Sequence, residues 1–174
     1  MKCWILITAI LLSFSSTAQV SQEDSVYLDN VEKQGKIMAE LLVAKDYKAF
    51  VKFTHPQVVK MLRGEEKMVE VLKESMETME ADGFSIVNCT ISRPLKIIQF
   101  KTELQCTVPQ TLEMKTPEGR MVTKSTLIGI SGDKGANWVF IDTQGKDLKI
   151  LQTRFPNLSP ELVIPQKEDP VIYK

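Results

Sequence analysis

A single histidine, three cysteines and a net charge of zero are spread over 174 residues, and each scarcity closes a class of function. With His55 alone, and no G-x-S-x-G context around Ser125 or Ser131, no serine or cysteine triad is indicated. The cysteines form neither a C-x-x-C pair nor a cluster with histidine, so no metal site is expected. The eight glycines make no phosphate-binding loop, and no cofactor is expected. Balanced charge without a basic stripe interleaved with aromatics gives no electrostatic reason to expect nucleic acid or an anionic membrane surface as partner. Nor does any apolar run reach the ~20 residues that cross a bilayer.

What is present begins at the N-terminus. Lys2, the apolar run from Trp4 to Leu12, and Ser16-Thr17-Ala18 before Gln19 read in order as the three regions of a secretory signal peptide, residues 1–18. An uncleaved anchor is the competing reading, but the run is too short even when stretched to Phe14. Cys3 precedes the hydrophobic region, whereas a lipoprotein cysteine follows it. The expected location is therefore exported, periplasmic or extracellular, with no stable membrane insertion after cleavage. Cleavage removes Lys2 and no acid, which leaves a charge near −1 on a mature chain of single-domain size.

Hydrophobic periodicity divides the rest into an α+β domain, residues 19–145, and a proline-rich extension, residues 146–174. From Ser25 to Ala44, the residues Val26, Val31, Met38, Leu41 and Leu42 recur at helical spacing. Asp46 reads as an N-cap for a short second helix over 47–53, which must stop before Pro56. A short Val58-Val59 segment follows, placing His55 in a helix-to-strand turn. Met68, Leu72, Met76 and Met79 predict a third helix over Glu65 to Ala81, closed by Gly83. Glu65, Glu66, Lys67, Glu70, Lys73, Glu74 and Glu77 form its solvated face. The period then changes to two, predicting strands at 84–92, 96–109, 120–131 and 137–143. Arg93-Pro94, Thr116-Pro117-Glu118-Gly119 and Gly132-Asp133-Lys134-Gly135 separate them. Within the extension, residues 147–155 suit a helical turn or edge strand, and the last fifteen or so an extended strap or a disordered end.

Cys89 and Cys106 fall on the apolar phase of their strands, Cys89 with Val87 and Ile91. An oxidising compartment permits them to pair, yet a hairpin turning near Pro94 would set Cys89 opposite a residue near 100. A disulfide and two buried free thiols both stay open. The sequons Asn88-Cys89-Thr90 and Asn157-Leu158-Ser159 carry no weight in a chain with a bacterial-looking signal peptide, and Pro160 follows the second.

His55-Pro56-Gln57-Val58-Val59, Gly64-Glu65-Glu66 and the terminal strand Trp138-Val139-Phe140-Ile141-Asp142 after Gly132-Asp133-Lys134-Gly135, in this order, resemble the nuclear transport factor 2-like superfamily over about residues 23 to 143. The resemblance implies three N-terminal helices packed on a curved, four- to six-stranded antiparallel sheet, a cone with a cavity between helices and concave face. It also implies a choice among isomerase-, cyclase- and dehydratase-like enzymes, binding modules and dimerisation modules, so fold alone does not decide function.

An isomerase-like site needs a carboxylate base and acidic hydrogen-bond donors. His55 and Asp142 are the candidate proton carriers. His55 is read first as structural, with its ring bonded to a turn carbonyl. Asp142 shares alternation with Trp138 and Phe140, which either points its carboxylate into an apolar face or leaves it at the strand end against backbone or solvent. No second acid or base is tied to His55 by spacing; Tyr47, Asp46 and Glu103 are available types, but Tyr47 sits at core spacing and Asp46 is better explained as a cap. The eight methionines suit an adaptable binding surface, with core packing as the default for Met68, Met76 and Met79. The leading expectation is a binding module for a small apolar ligand or a protein partner. The alternatives are a cavity enzyme and a homodimer built on an exposed Thr123, Ser125, Leu127 alternation. Intact-mass measurement of the full chain exported from a bacterial host is expected to show loss of residues 1–18; retention of their mass would favour the anchor.

Overall fold

The computed structural model describes residues 22–174, and the signal peptide read at residues 1–18 lies outside them. Helix α1 (Gln22–Val43) opens with Glu23 and Asp24 in its first turn, where the helix dipole favours negative charge. Its buried stripe runs Leu28, Val31, Gly35, Met38, Ala39 at helical spacing. Val26, expected on that stripe, is 61% exposed and lies off it. Gly35 sets the depth of packing: a Cβ there would stand 2.9 Å from Ile91 Cγ2, so only glycine lets the helix lie this close to the sheet.

Asp46 caps α2 (Tyr47–Phe50) by accepting the Ala49 N–H at 3.0 Å, and a 3-10 turn over Val51–Phe53 continues it. Where an extended Val58-Val59 segment is expected, the chain forms a further helix, α3 (Pro56–Met61), so four helices precede the sheet instead of three. Pro56 at its first position, behind a capping residue, is a start signal that the β-branched pair outweighs in a reading by propensity. Helix α4 spans Glu65–Ala81. It ends in a Schellman motif: Phe84 N–H donates to the Met79 carbonyl at 2.8 Å and Gly83 N–H to that of Glu80 at 3.0 Å, with Gly83 at φ +84°.

The six strands are β1 (Ser85–Ile91), β2 (Ile98–Phe100), β3 (Glu103–Thr116), β4 (Gly119–Ser131), β5 (Val139–Asp142) and β6 (Val171–Tyr173). All pair antiparallel in one sheet, and with the helices they make an α+β fold. The long β3–β4 hairpin, turning at Pro117-Glu118, is its spine. β1 and β2 share the free edge of β3, and β5 and β6 share that of β4. The expected strand 96–109 is broken at Lys101-Thr102, where Lys101 takes φ +55° and folds β2 back on β3. β1 therefore pairs far along β3, with Cys89 opposite Leu112. That residue lies about 20 Å along the strand from Cys106, at ~3.3 Å per residue, against the ~7 Å a disulfide spans. Both cysteines are buried free thiols. Val87, expected on the apolar phase, sits at a bulge between Ile86 and Asn88 that turns it outward.

The sheet carries a core on each face. Val31 and Met38 of α1 pack with Cys106, Val108, Leu127, Trp138 and Phe140 on the helical face. Leu127, expected on an exposed alternation with Thr123 and Ser125, is thus buried, whereas Thr123 and Ser125 stay partly exposed. On the opposite face Ile128, Ile130 and Ile141 meet helix α5 (Leu148–Arg154) and the segment beyond it, through Leu151, Phe155, Leu158 and Leu162. The extension is thus a strap across the sheet, ending as β6 beside β4. Fully buried Gln105 fastens it: its Nε2 donates to the Asn157 carbonyl at 2.8 Å and its Oε1 accepts the Ser159 N–H at 2.8 Å. Leu158→Ala is expected to cost about 2–5 kcal/mol in urea unfolding, matching Leu127→Ala on the other face. A loss under about 0.5 kcal/mol would mean the strap is dispensable.

Candidate functional site

The two faces are not covered evenly. α4 packs against α2, the 3-10 turn, α3 and β1, and a cavity of about 440 Å³ runs from beneath it, over the inner face of the sheet and past the end of β5, to α5. α4 contributes Met68, Leu72 and Met76, α1 contributes Met38 and Leu42, and the sheet contributes Ile86, Leu112, Leu127 and Phe140. Of the stripe on α4 only Met68 is fully buried; Leu72 and Met76 keep part of their surface open to the cavity. Methionine and leucine at this wall give a polarizable, readily repacked surface.

The exposed members of the lining mark the mouth. Met61 at the end of α3 is 46% exposed and Ile150 on α5 is 49% exposed, with Asp142, Gln144 and Arg154 beside them. Ile150, Leu151 and Arg154 share one side of α5, at helical spacing, so this helix forms one lip and α3 the other. Gln110 adds a polar spot to the sheet wall, where its Oε1 accepts from Ser125 Oγ at 2.9 Å and its Nε2 contacts Cys89 Sγ at 3.1 Å.

His55 and Asp142 are not brought together. Asp142 ends β5 opposite Leu127, in the phase of Trp138 and Phe140, but past the helices that cover them. Its carboxylate is exposed and accepts the Gln144 N–H at 2.8 Å, the strand-end arrangement. His55 is outside the cavity lining and sits in a helix-to-helix turn, not a helix-to-strand one. It is the N-cap of α3, its Nδ1 accepting the Gln57 N–H at 3.2 Å, and its ring meets Phe155 edge-on at 5.7 Å between centroids. The role is structural, but the partner is an N–H and not a carbonyl. Burial lowers its pKa from 6.5, and the charge of Glu103 opposes the shift.

The remaining candidates are also tied down. Tyr47 is buried, and that burial raises its pKa, against the charge of Lys45. Asp46 serves as the cap, and Glu103 accepts from Gln105 Nε2 at 2.9 Å. Burial raises the Cys89 thiol and pushes that of Cys106 up to about 12, which leaves neither a ready nucleophile. Among the described residues no group of three or more His, Cys, Asp or Glu is placed to hold a metal ion, and no helix is long and apolar enough to cross a membrane. Lys146 and Arg154, which also line the mouth, are absent from the sequence reading. Only the fold-back of the extension brings them there, and no local spacing signals it. Comparison with known proteins finds no protein-family model and no curated protein that matches the chain.

The capping role of His55 has a pH signature. Its folded pKa lies below the unfolded value of 6.5, so the unfolded chain binds the proton more tightly. Protonation also removes the Nδ1 lone pair that caps α3. The stability it contributes is complete above 6.5 and is lost as pH falls through that value toward the folded pKa. His55→Asn keeps a cap without titrating. The urea midpoint of the wild type is expected to fall more than that of the variant between about pH 7.5 and about pH 5; equal losses would remove His55 as the titrating group.

Proposed function

We propose that this protein is an exported binding module that holds a small apolar ligand in the methionine-lined cavity beneath α4. The observation carrying this reading is a cavity of about 440 Å³ with apolar walls, within the ~300–1,000 Å³ usual for small-molecule sites. Its two candidate proton carriers are engaged elsewhere, Asp142 with a backbone N–H and His55 as a helix cap outside the lining. Export rests on the signal-peptide reading of residues 1–18.

The same reading takes the fold as a cone of the nuclear transport factor 2-like superfamily. Its support is the order of four helices before the first strand, the antiparallel sheet with the long helix α1 across one face, and a cavity between α4 and that face. The strap on the opposite face lies outside the common pattern of that superfamily. It would make this chain a variant in which the outer side of the sheet is closed.

An apolar cavity has a simple thermodynamic signature. In a series of straight-chain alcohols, each added methylene is expected to tighten binding about fourfold, the equivalent of ~0.8 kcal/mol, until the cavity is full. Leu72→Trp, which puts an indole into the space, is expected to abolish binding without lowering the melting temperature by more than a few degrees. Calorimetric titration that finds no heat and no thermal stabilisation at any chain length would exclude this function.

A further inference from the structure

We infer that the ligand of this cavity is an anionic single-chain amphiphile, a long-chain carboxylate of the fatty-acid class, seated with its chain under α4 and its head at the α5 lip. The inference rests on the binding-module reading and adds the chemistry of the head. The charged residues of the lining are Asp142, Lys146 and Arg154, and all three stand at one wall, in the segment joining β5 to the end of α5. The opposite walls, formed by α1, α4 and the sheet, present methionine, leucine, isoleucine and phenylalanine. A cavity apolar at depth and ionic along one edge matches a molecule with the same division.

The sign of that edge is positive. The Asp142 carboxylate is already engaged by the Gln144 N–H at 2.8 Å. Lys146 Nζ donates only to the neutral Gln144 Oε1, at 2.9 Å, and the Arg154 guanidinium has no carboxylate partner among the described residues. Lysines on α4 are treated differently by the fold: Lys67 and Lys73 pair with Glu70 and Glu77 at 2.7 and 3.8 Å. At the mouth the cations stand one just before α5 and one at its end, Lys146 two residues ahead of Leu148 and Arg154 as the last helical residue. Exposed Ile150 lies between them. A chain leaving the cavity over Ile150 carries its head into the space that the two cations flank, and a carboxylate there gains from either.

Calorimetry with dodecanoate and dodecanol, below their aggregation concentrations and at about pH 8, tests the head separately from the chain. The expected result is that Lys146→Gln/Arg154→Gln weakens dodecanoate about fivefold, the effect of an exposed ion pair, and leaves dodecanol unchanged. Arg154 is exposed and Lys146 half-buried, its ammonium partnered only by Gln144 among the described residues, so the double variant is expected to fold, and its unaltered binding of dodecanol checks that it has. In the wild type, about 1 M salt should erase the same fivefold. If both ligands bind and the variant weakens neither, the anionic head is wrong while the apolar cavity stands. If neither binds, both readings fall. Co-sedimentation with phosphatidylglycerol vesicles without dodecanoate binding would overturn the proposal in favour of a membrane surface.

Discussion

One stretch of one strand constrains the rest of the structure. Residues 127–131 of β4 are buried without interruption, so this part of the sheet is apolar on both sides and must be covered on both. Helix α1 supplies one cover, and no helix in the first half of the chain is free to supply the other. The extension fills that role with Leu151, Phe155, Leu158 and Leu162. Its proline-rich backbone offers few hydrogen bonds of its own, and fully buried Gln105 satisfies two of its groups near the point of deepest burial. A buried amide lacking those partners would cost about 1–3 kcal/mol, so the strap and Gln105 stabilise each other.

Toward the β3–β4 turn the constraint relaxes. Burial in β4 drops to half-exposed positions, and Gln110, Thr123 and Ser125 make the inner face mixed in character. Nothing there forces α4 down onto the sheet, and its Schellman end and its packing on α2 and α3 hold it at a distance. The space is open at its mouth, where Met61 and Ile150 are 46% and 49% exposed, so solvent reaches it. Walls of methionine, leucine and phenylalanine offer that water few of the partners it needs.

Elements whose signals are local were legible in the sequence. The apolar stripe, Asp46 and Gly83 gave the first, second and principal later helices, and Pro117 with Glu118 lay within the expected turn. Elements decided by tertiary context were not. A left-handed Lys101 splits a strand whose alternation is continuous, because β2 gains a partner by folding back. The bulge at Val87 reverses a phase that periodicity alone extends without a break. Val58-Val59 reads as extended by propensity, yet the capping imidazole of His55 and the fixed φ of Pro56 start a helix there. For the site, Met68 and Met76 were visible as a stripe whose two uses, core packing and cavity lining, have the same spacing. Lys146 and Arg154 were invisible, because their place at the mouth depends on where the strap crosses.

Of the two lips of the mouth, α5 is anchored in the core by Leu151 and Phe155, while α3 is held differently. No residue of α3 is fully buried, and among its side chains Val58, half-buried, packs against the second core. Polar ties add to this: the His55 cap, the His55 N–H donating to the Phe140 carbonyl at 3.0 Å, and Gln57 Nε2 donating to the Arg154 carbonyl of the opposite lip. The edge-on contact of His55 with Phe155 joins α3 to the strap a second time. Segments with little buried apolar surface open at the lowest free energy. α3, with no fully buried residue, is therefore the wall of the cavity expected to open at the lowest cost. His55 and Gln57 tie it to the same strap that Gln105 anchors, so the closed position of this wall depends on the strap.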